Sequence, residues 1–467
     1  PAHLLALLLS GLAYGGLAYA TPRAQAGQLL ALLAGAFGLY VFLLKTRLPL
    51  RAGLLAALLL RLLWLPALPT LSDDYHRFRW DGLLVAHGLN PYQYRPDELV
   101  SGSSLPVAGS DQVSPTTPNS GPLQQPPRQN EQPNTSNQIP ATINQQLATL
   151  YPKLNSPRYY SVYPPVCQAA FGLAAGLFPA HERGAVLVLR LVLLLAEAAT
   201  VALMLSLLRA SGLPAHRALW YLLNPLVIVE LTGNLHFEAL VICFGLLALG
   251  LLARGRWAWS AGVLGLAVGT KLLPLLMLPL LVRRLGWRQF VRYSTVVGLT
   301  VALLFAPFFS LDLLRNINRS LTLYFNKFEF NASVYYVVRA IGQHLTGYNE
   351  IAIIGPALAR TTAALTLVLT IGEQRPVWTT LPRTLLFVLT IYYLLATVVH
   401  PWYLTPLVAL SVFTPYRFAL VWSGLAVLSY AAYRTAANTE NPWLLALEYL
   451  PVLAVLAWEV RGNWVRR

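Results

Sequence analysis

Between Ser72 and Tyr92 the sequence reads SDDYHRFRWDGLLVAHGLNPY, an unusually polar stretch in a chain dominated by Leu, Ala and Val. Its residue types suit group transfer. Asp73 and Asp74 follow an apolar run directly. There, partial desolvation can raise a carboxylate pKa and shape a general base, while the neighbouring carboxylate holds a hydroxyl or a divalent cation. Arg77 and Arg79 could pair with these acids or with a phosphate, and Tyr75 and Trp80 offer flat faces to a sugar ring. Asp81, Asn90 and Tyr92 complete the polar set. A plainer reading stays open, because Ser72-Asp73-Asp74 would also serve as the N-cap of a helix lying at a membrane interface.

Further along, ionisable and aromatic residues recur at the ends of apolar runs, where they are functional suspects by default. GNLHFEAL carries His236 and Glu238, with an interfacial cap as the alternative. In AVGTKLLPLL, Lys271 lies between two short apolar segments, where it either meets a lipid phosphate or snorkels to the surface. FNKFEFNASVYY supplies Lys327 and Asn331, and HPWYLTP supplies His400, Trp402 and Tyr403; an aromatic belt at the bilayer surface is the alternative for both. Tyr163 precedes Pro164 and Pro165, which are suited to a helix start.

The elements that position these residues must be membrane helices. Of 467 residues 56% are hydrophobic and 11% charged, with a mean hydropathy of +0.54; soluble domains carry about 25% charged residues. A β-barrel would show short alternating segments, which are absent. Fourteen spans are expected, at about 3–20, 27–45, 52–69, 184–208, 216–231, 237–253, 257–270, 272–282, 294–310, 351–371, 384–399, 402–414, 418–433 and 443–460. The first run lacks a basic leader and is expected to be a retained span. The net charge of +16 comes from Lys and Arg scattered at span ends, which points to topology and lipid phosphate and away from nucleic acid.

Alternating these spans gathers Lys45, Arg47, Arg51, Arg209, Arg217, Arg254, Arg256 and the arginines of 283–292 on one side, the cytoplasmic side by the positive-inside rule. Asp73, Lys271 and His400 then face outward from the cytoplasmic membrane. The organisation expected is three N-terminal spans (1–69), an outward catalytic loop (70–183), central spans (184–310), an outward interfacial loop (311–350) and C-terminal spans (351–467). Within the catalytic loop, 101–146 is rich in Pro, Gln, Ser and Asn and is expected to be a disordered insertion. Cys167 and Cys243 imply no disulfide framework. No phosphate-binding glycine loop, HExxH or Cys-rich metal site occurs, which argues against a nucleotide-sugar or ATP-driven enzyme.

Taken in order, SDDYHRFRWDG…GLNPY, YSVYPPVCQ, LNPLVIVELTGNLHFEAL, GLAVGTKLLPLLMLPLL, FNASVY and HPWYL resemble the C-type glycosyltransferase superfamily (GT-C). More narrowly, they resemble the polyprenyl-phosphomannose-dependent mannosyltransferases of glycosyltransferase family 87 and its neighbours. The resemblance runs from about 50 to 410. It implies an all-α polytopic bundle that moves a sugar, mannose by family, from a polyprenyl phosphate to a lipid or glycan acceptor outside the membrane, inverting the anomeric carbon. By position it makes Asp73 the base and Asp74 its assistant, and places Tyr163-Pro164-Pro165 beside the donor phosphate. No cofactor is fixed, and a divalent cation stays open. The chain departs from the superfamily in carrying two spans ahead of the acidic-loop span, and in its insertion. Competing readings are a lipid-linked glycan flippase, a glycan ligase or polymerase using a diphosphate-linked oligosaccharide, and a glycan-binding scaffold.

Overall fold

The computed structural model describes residues 1–102, 141–434 and 438–465. Among these residues the chain is helical, with no strand and one isolated parallel bridge between Phe330 and Val398. The first elements are α1 (Ala2–Tyr19), α2 (Ala26–Lys45), α3 (Leu50–Leu62), α4 (Asp74–Ala86), α5 (Pro96–Gly102), α6 (Ala141–Leu150), α7 (Pro165–Leu177) and α8 (Glu182–Ala210).

Among the described residues seven helices are long and apolar enough to cross a membrane: α1, α2, α8, Trp287–Phe308, Ile351–Gly372, Trp378–Leu395 and Pro442–Gly462. An eighth arises if Pro225–Gly233 and Glu238–Ala253 count as one span bent by 111°. These long helices turn apolar residues outward, as Leu12 (72% exposed), Leu195 (72%) and Ile371 (74%) show. That inversion suits lipid, since a soluble domain rarely leaves large contiguous apolar patches in water.

The count of fourteen spans is therefore not confirmed. The expected spans that fall short are those broken by Pro, Gly or buried polar groups. The 52–69 run stays helical only to Leu62, the 402–414 run is a 3₁₀ turn over Pro401–Leu404 that passes into the short helix Thr405–Ser411, and the 418–433 run tightens into a 3₁₀ turn from Ala426. Hydropathy registers such segments as continuous; backbone geometry does not.

The insertion expected at 101–146 is narrower at both edges. Residues 101–102 end α5, and 141–146 open α6, whose Ile143, Leu147 and Leu150 bury against Trp80, Leu83 and Leu84 of α4. Three large apolar side chains at helical spacing supplied the surface that the surrounding polar composition lacks. The remainder, 103–140, lies outside the described residues.

The two ends of the bundle differ in chemistry. At one end lie the α1–α2 turn, the loop before α4 and the start of Glu238–Ala253, joined by an ion pair from Arg23 to Asp73. At the other, His3 bonds Thr46, Arg217 donates to the Thr414 carbonyl and Arg284 pairs with Glu373. In the interior, Arg61 of α3 and Glu197 of α8 form a two-bond ion pair (2.9 and 3.0 Å), with Thr232 donating to the same carboxylate at 2.7 Å.

Candidate active site

Asp73 stands at the N-cap position of α4, yet its side chain makes no capping bond. Ser72 Oγ accepts from the Asp74 amide (3.3 Å), leaving the Asp73 carboxylate to meet Arg23 Nη1 at 2.5 Å with 37% of its side chain exposed. Asp74 accepts from Asn155 Nδ2 (2.8 Å). The cap reading thus accounts for the backbone but not for the Asp73 carboxylate.

The loop carrying Asp73 is held by Arg190, a fully buried residue of α8. Its guanidinium donates to four carbonyls: Leu65 (2.9 Å) and Ala67 (2.6 Å) ahead of the acidic pair, and Thr232 (2.8 Å) and Gly233 (3.0 Å) in the broken span. Asn234 Oδ1 then accepts from the Leu71 amide (3.2 Å). Gly233 is glycine for a steric reason: an added Cβ would meet the Trp64 ring at 2.8 Å. A π-turn over Ile228–Gly233 and a left-handed Leu235 (φ 65°) carry the chain around the break. Such turns inside helices are frequent at functional sites.

Several residues expected to touch substrate are buried in packing instead. Arg77 pairs with Asp81 (2.8 Å) and donates to the Ser156 and Tyr159 carbonyls (3.1 and 3.0 Å). Asp81 also accepts from Ser161 (2.5 Å) and Gln168 (3.1 Å). Trp80 is fully buried against Tyr151, and Tyr92 donates to the Tyr163 carbonyl (2.7 Å) while Asn90 ties this loop to the Phe308 carbonyl (2.8 Å). This network pins the 156–163 segment to α4. The residue types were the right ones to notice, but i,i+4 pairing and α6 close them off from a ligand. Asn331 is likewise buried. Its side-chain amide donates to the Val399 carbonyl (3.3 Å) and to Glu448 (3.2 Å), and its backbone amide meets Glu440 (2.6 Å).

The other expected residues gather in a column of rings. His236 stacks on Trp402 (centroids 3.9 Å apart, 11°), Trp402 on His400 (4.3 Å, 4°), His400 against Phe330 (4.8 Å) and Phe330 on Tyr433 (6.0 Å). Both faces of Trp402 are covered, so it supports the column and offers no platform to a sugar. Desolvation in the column, with His236 and Lys271 adding to it, pushes the His400 pKa down to about 3, so the ring is neutral at physiological pH. At the His236 end, Nε2 lies 3.1 Å from Glu230, which also receives Asn234 Nδ2 (3.2 Å) and the Tyr430 hydroxyl. At the other end, Tyr433 lies within electrostatic reach of Asp73, Asp74, Arg23 and Glu230.

Lys271 pairs with Glu238, and its ammonium sits 4.0 Å over the Tyr403 ring, which in turn meets His400 edge-on at 5.4 Å. The Lys271 side chain remains 36% exposed, so it is neither buried nor swinging free. Opposite it, α7 starts at Pro165 as the sequence predicts, with the Val166 amide on the Gly269 carbonyl (2.9 Å) and Cys167 Sγ on the Thr270 carbonyl (3.3 Å). Tyr163, wedged edge-on against Phe78 and Phe171, is within reach of Asp74. Lys327 ends the helix Leu313–Lys327 and is exposed.

Ring contacts and an ion pair therefore join His236, Glu238, Lys271, His400, Trp402 and Tyr403, and add Glu230, Tyr430 and Tyr433, while the charges of Asp73, Asp74 and Arg23 act on Tyr433. Glu230 carried a usable signal, an acid inside the apolar run LVIVELTG; Arg23, a lone basic residue in a turn, carried none. Among the described residues no group of three or more His, Cys, Asp or Glu could hold a metal ion. Asp73, in partial contact with solvent, has a carboxylate that can accept a proton, and Lys271, held over the Tyr403 ring, has a charge that can stabilise an anion.

No curated protein matches the chain. Residues 136–286, about a third of its length, match the family model described as the alpha-(1->6)-mannopyranosyltransferase N-terminal domain of the MptA/B family. The matched region holds Tyr163, His236, Glu238 and Lys271 and leaves Asp73 outside it. This similarity, together with the long apolar helices, supports a membrane glycosyltransferase that transfers mannose.

Proposed function

We propose that the protein transfers mannose from a polyprenyl-phosphate donor to a hydroxyl of a lipid or glycan acceptor, on the outer face of the cytoplasmic membrane, with inversion at the anomeric carbon. The observation that carries this reading is the Asp73 carboxylate, which occupies a helix cap without capping and stays partly open to solvent. Asp73 takes the proton of the acceptor hydroxyl as its oxygen attacks C1 of the sugar. The C1–O bond to phosphate breaks on the opposite face, and its electron pair leaves on the lipid phosphate. Lys271, with Tyr403 beneath it, faces that growing charge.

The lipid character of the donor is supported by a cavity that starts one turn beyond Glu238. It is an open apolar groove with a cavity volume of about 80 Å³, walled by Val241, Leu246, Leu273, Pro274, Leu389 and Pro406 among others. A prenyl chain in this cavity would keep its phosphate at Lys271. Asp74 assists Asp73, or the two hold a divalent cation on the donor phosphate.

Incubating the purified protein with radiolabelled polyprenyl-phosphomannose and a panel of lipid and glycan acceptors tests the reading, with and without EDTA. Labelled product of inverted linkage is the expected result. Transfer only from a diphosphate-linked oligosaccharide would replace it with a ligase or polymerase, and sensitivity to EDTA would assign the acidic pair to a cation.

A further inference from the structure

We propose that Arg23, in the turn between the first two spans, is a second phosphate-binding residue. It exchanges its ion pair with Asp73 for the phosphate of the donor, so that Asp73 is released as a base only when the donor is in place. This rests on the transfer reaction proposed above.

The ion pairs of the structure fall into two kinds. Arg61–Glu197 and Arg77–Asp81 are almost wholly buried, with side chains 5% and 2%, and 4% and 0%, exposed. Breaking either would strand a charge in a low-dielectric interior. Arg23–Asp73 is 43% and 37% exposed. A pair so open to water contributes only about 0–1 kcal/mol net, so a competing anion can take one partner from the other at little cost.

The local structure prepares such an exchange. The backbone of the turn is anchored on either side of Arg23, by Thr21 Oγ1 on the Gly16 carbonyl (2.8 Å) and by Gln28 on Thr21 (3.0 Å) and the Ala20 carbonyl (3.1 Å). Among the described residues the Arg23 guanidinium itself holds Asp73 alone. The Arg23 charge also acts on Tyr433, the end of the ring column whose other members lead to Tyr403 and Lys271. Each of these two cations is neutralised by a carboxylate, Lys271 by Glu238 and Arg23 by Asp73. A donor phosphate brings the additional negative charge that can draw a cation away, and the more exposed pair is the one that yields.

The consequence for the chemistry is an order of events. While Arg23 is paired, the Asp73 oxygen that would accept a proton faces a guanidinium. Once Arg23 moves to the phosphate, the acceptor proton has a place to go, and a second cation stands where the electron pair of the breaking C1–O bond arrives.

The test is equilibrium binding of polyprenyl phosphate to the full chain in lipid nanodiscs, for the wild type, Arg23→Gln, Asp73→Asn and the double variant. Exchange predicts opposite signs. Arg23→Gln should bind about tenfold more weakly, having lost a charge-assisted contact. Asp73→Asn should bind up to about fivefold more tightly, because the competitor for Arg23 is gone. In the Arg23→Gln background the Asp73→Asn effect should disappear. An ion pair that merely braces the loop would weaken binding in both single variants or in neither, and either pattern overturns the proposal. Because binding of polyprenyl phosphate is read without turnover, loss of transfer activity in Asp73→Asn tests the base assignment separately. Absence of mannose transfer by the wild type would sink the reaction while leaving the binding result to stand or fall by itself.

Discussion

Replacing Arg190 by Met keeps the length and apolar stem of the side chain and removes its guanidinium. Four carbonyls lose their donor at once, those of Leu65, Ala67, Thr232 and Gly233. An unsatisfied buried carbonyl costs about 1–3 kcal/mol, so four cost on the order of 4 kcal/mol even at the low end. Relaxation of the two segments is the only way to recover part of it. Relaxation means that the loop leading to Asp73 separates from the broken span leading to His236 and Glu238, and a displacement of about 1 Å at reacting groups is worth about 100-fold in rate. The expected outcome is a lower midpoint of thermal inactivation in detergent, together with a fall of about 100-fold in kcat for mannose transfer and a smaller change in donor KM. Arg190→Lys, with one compact ammonium, can reach one side of the break but not both, and should recover stability further than it recovers kcat. Normal stability and normal turnover in Arg190→Met would refute the reasoning, since it would mean that the two segments are held together by something other than this residue.

Asp73→Asn preserves shape and removes the proton acceptor, so turnover should fall by about 10²–10⁴, measured with saturating donor and acceptor; near-normal turnover would move the base to another residue, and the same change at Asp74 separates base from assistant. Lys271→Met should weaken binding of polyprenyl phosphate and lower turnover further than affinity, because the charge it opposes is largest in the transition state; survival of both would hand the phosphate to the arginines. Exchanging 103–140 for a short Gly-Ser linker should leave folding and turnover similar, since its Pro, Gln and Ser composition offers little apolar surface to bury, and loss of turnover with an intact fold would assign those residues to acceptor recognition.

Sequence reasoning reached the long helices because their apolar runs are set by bilayer thickness alone. It singled out His236, Glu238, Lys271 and His400 because ionisable residues at the ends of such runs are costly and therefore informative. It did not separate residues that face the candidate site from residues that support it. Asp73 and Asp81 are the same amino acid eight positions apart, and only α6 and the 156–163 segment, folded over Asp81, decide which is open. Trp402 read as an aromatic platform, yet the two histidines that cover it come from segments 166 residues apart and within two residues. Arg23 could not be found from its neighbours at all, because its partner is 50 positions away and its own turn, TPRAQ, has no distinguishing pattern. The mid-span charges Arg61, Arg190 and Glu197 were visible, but their contacts with the broken span depend on a π-turn that no local spacing announces.

The buried pair of Arg61 and Glu197 has a consequence for how the protein is made. A charged residue at the centre of a lone helix in lipid costs about 2.5–3.5 kcal/mol on insertion scales. The eighth helix carries two such residues, Arg190 and Glu197, and the third carries Arg61 in its last turn. Arg61 can be matched as soon as the eighth helix emerges, but the carbonyls that satisfy Arg190 at Thr232 and Gly233, and the Leu222 carbonyl that takes Arg61 (2.7 Å), are synthesised only afterwards. During synthesis these two helices have better partners in each other and in the insertion machinery than in the bilayer. Nascent chains stopped before residue 219 should keep both helices cross-linkable to that machinery, and chains extended past 233 should release them as one packet, so the interior polar lock would act as a checkpoint of membrane insertion before the candidate site exists.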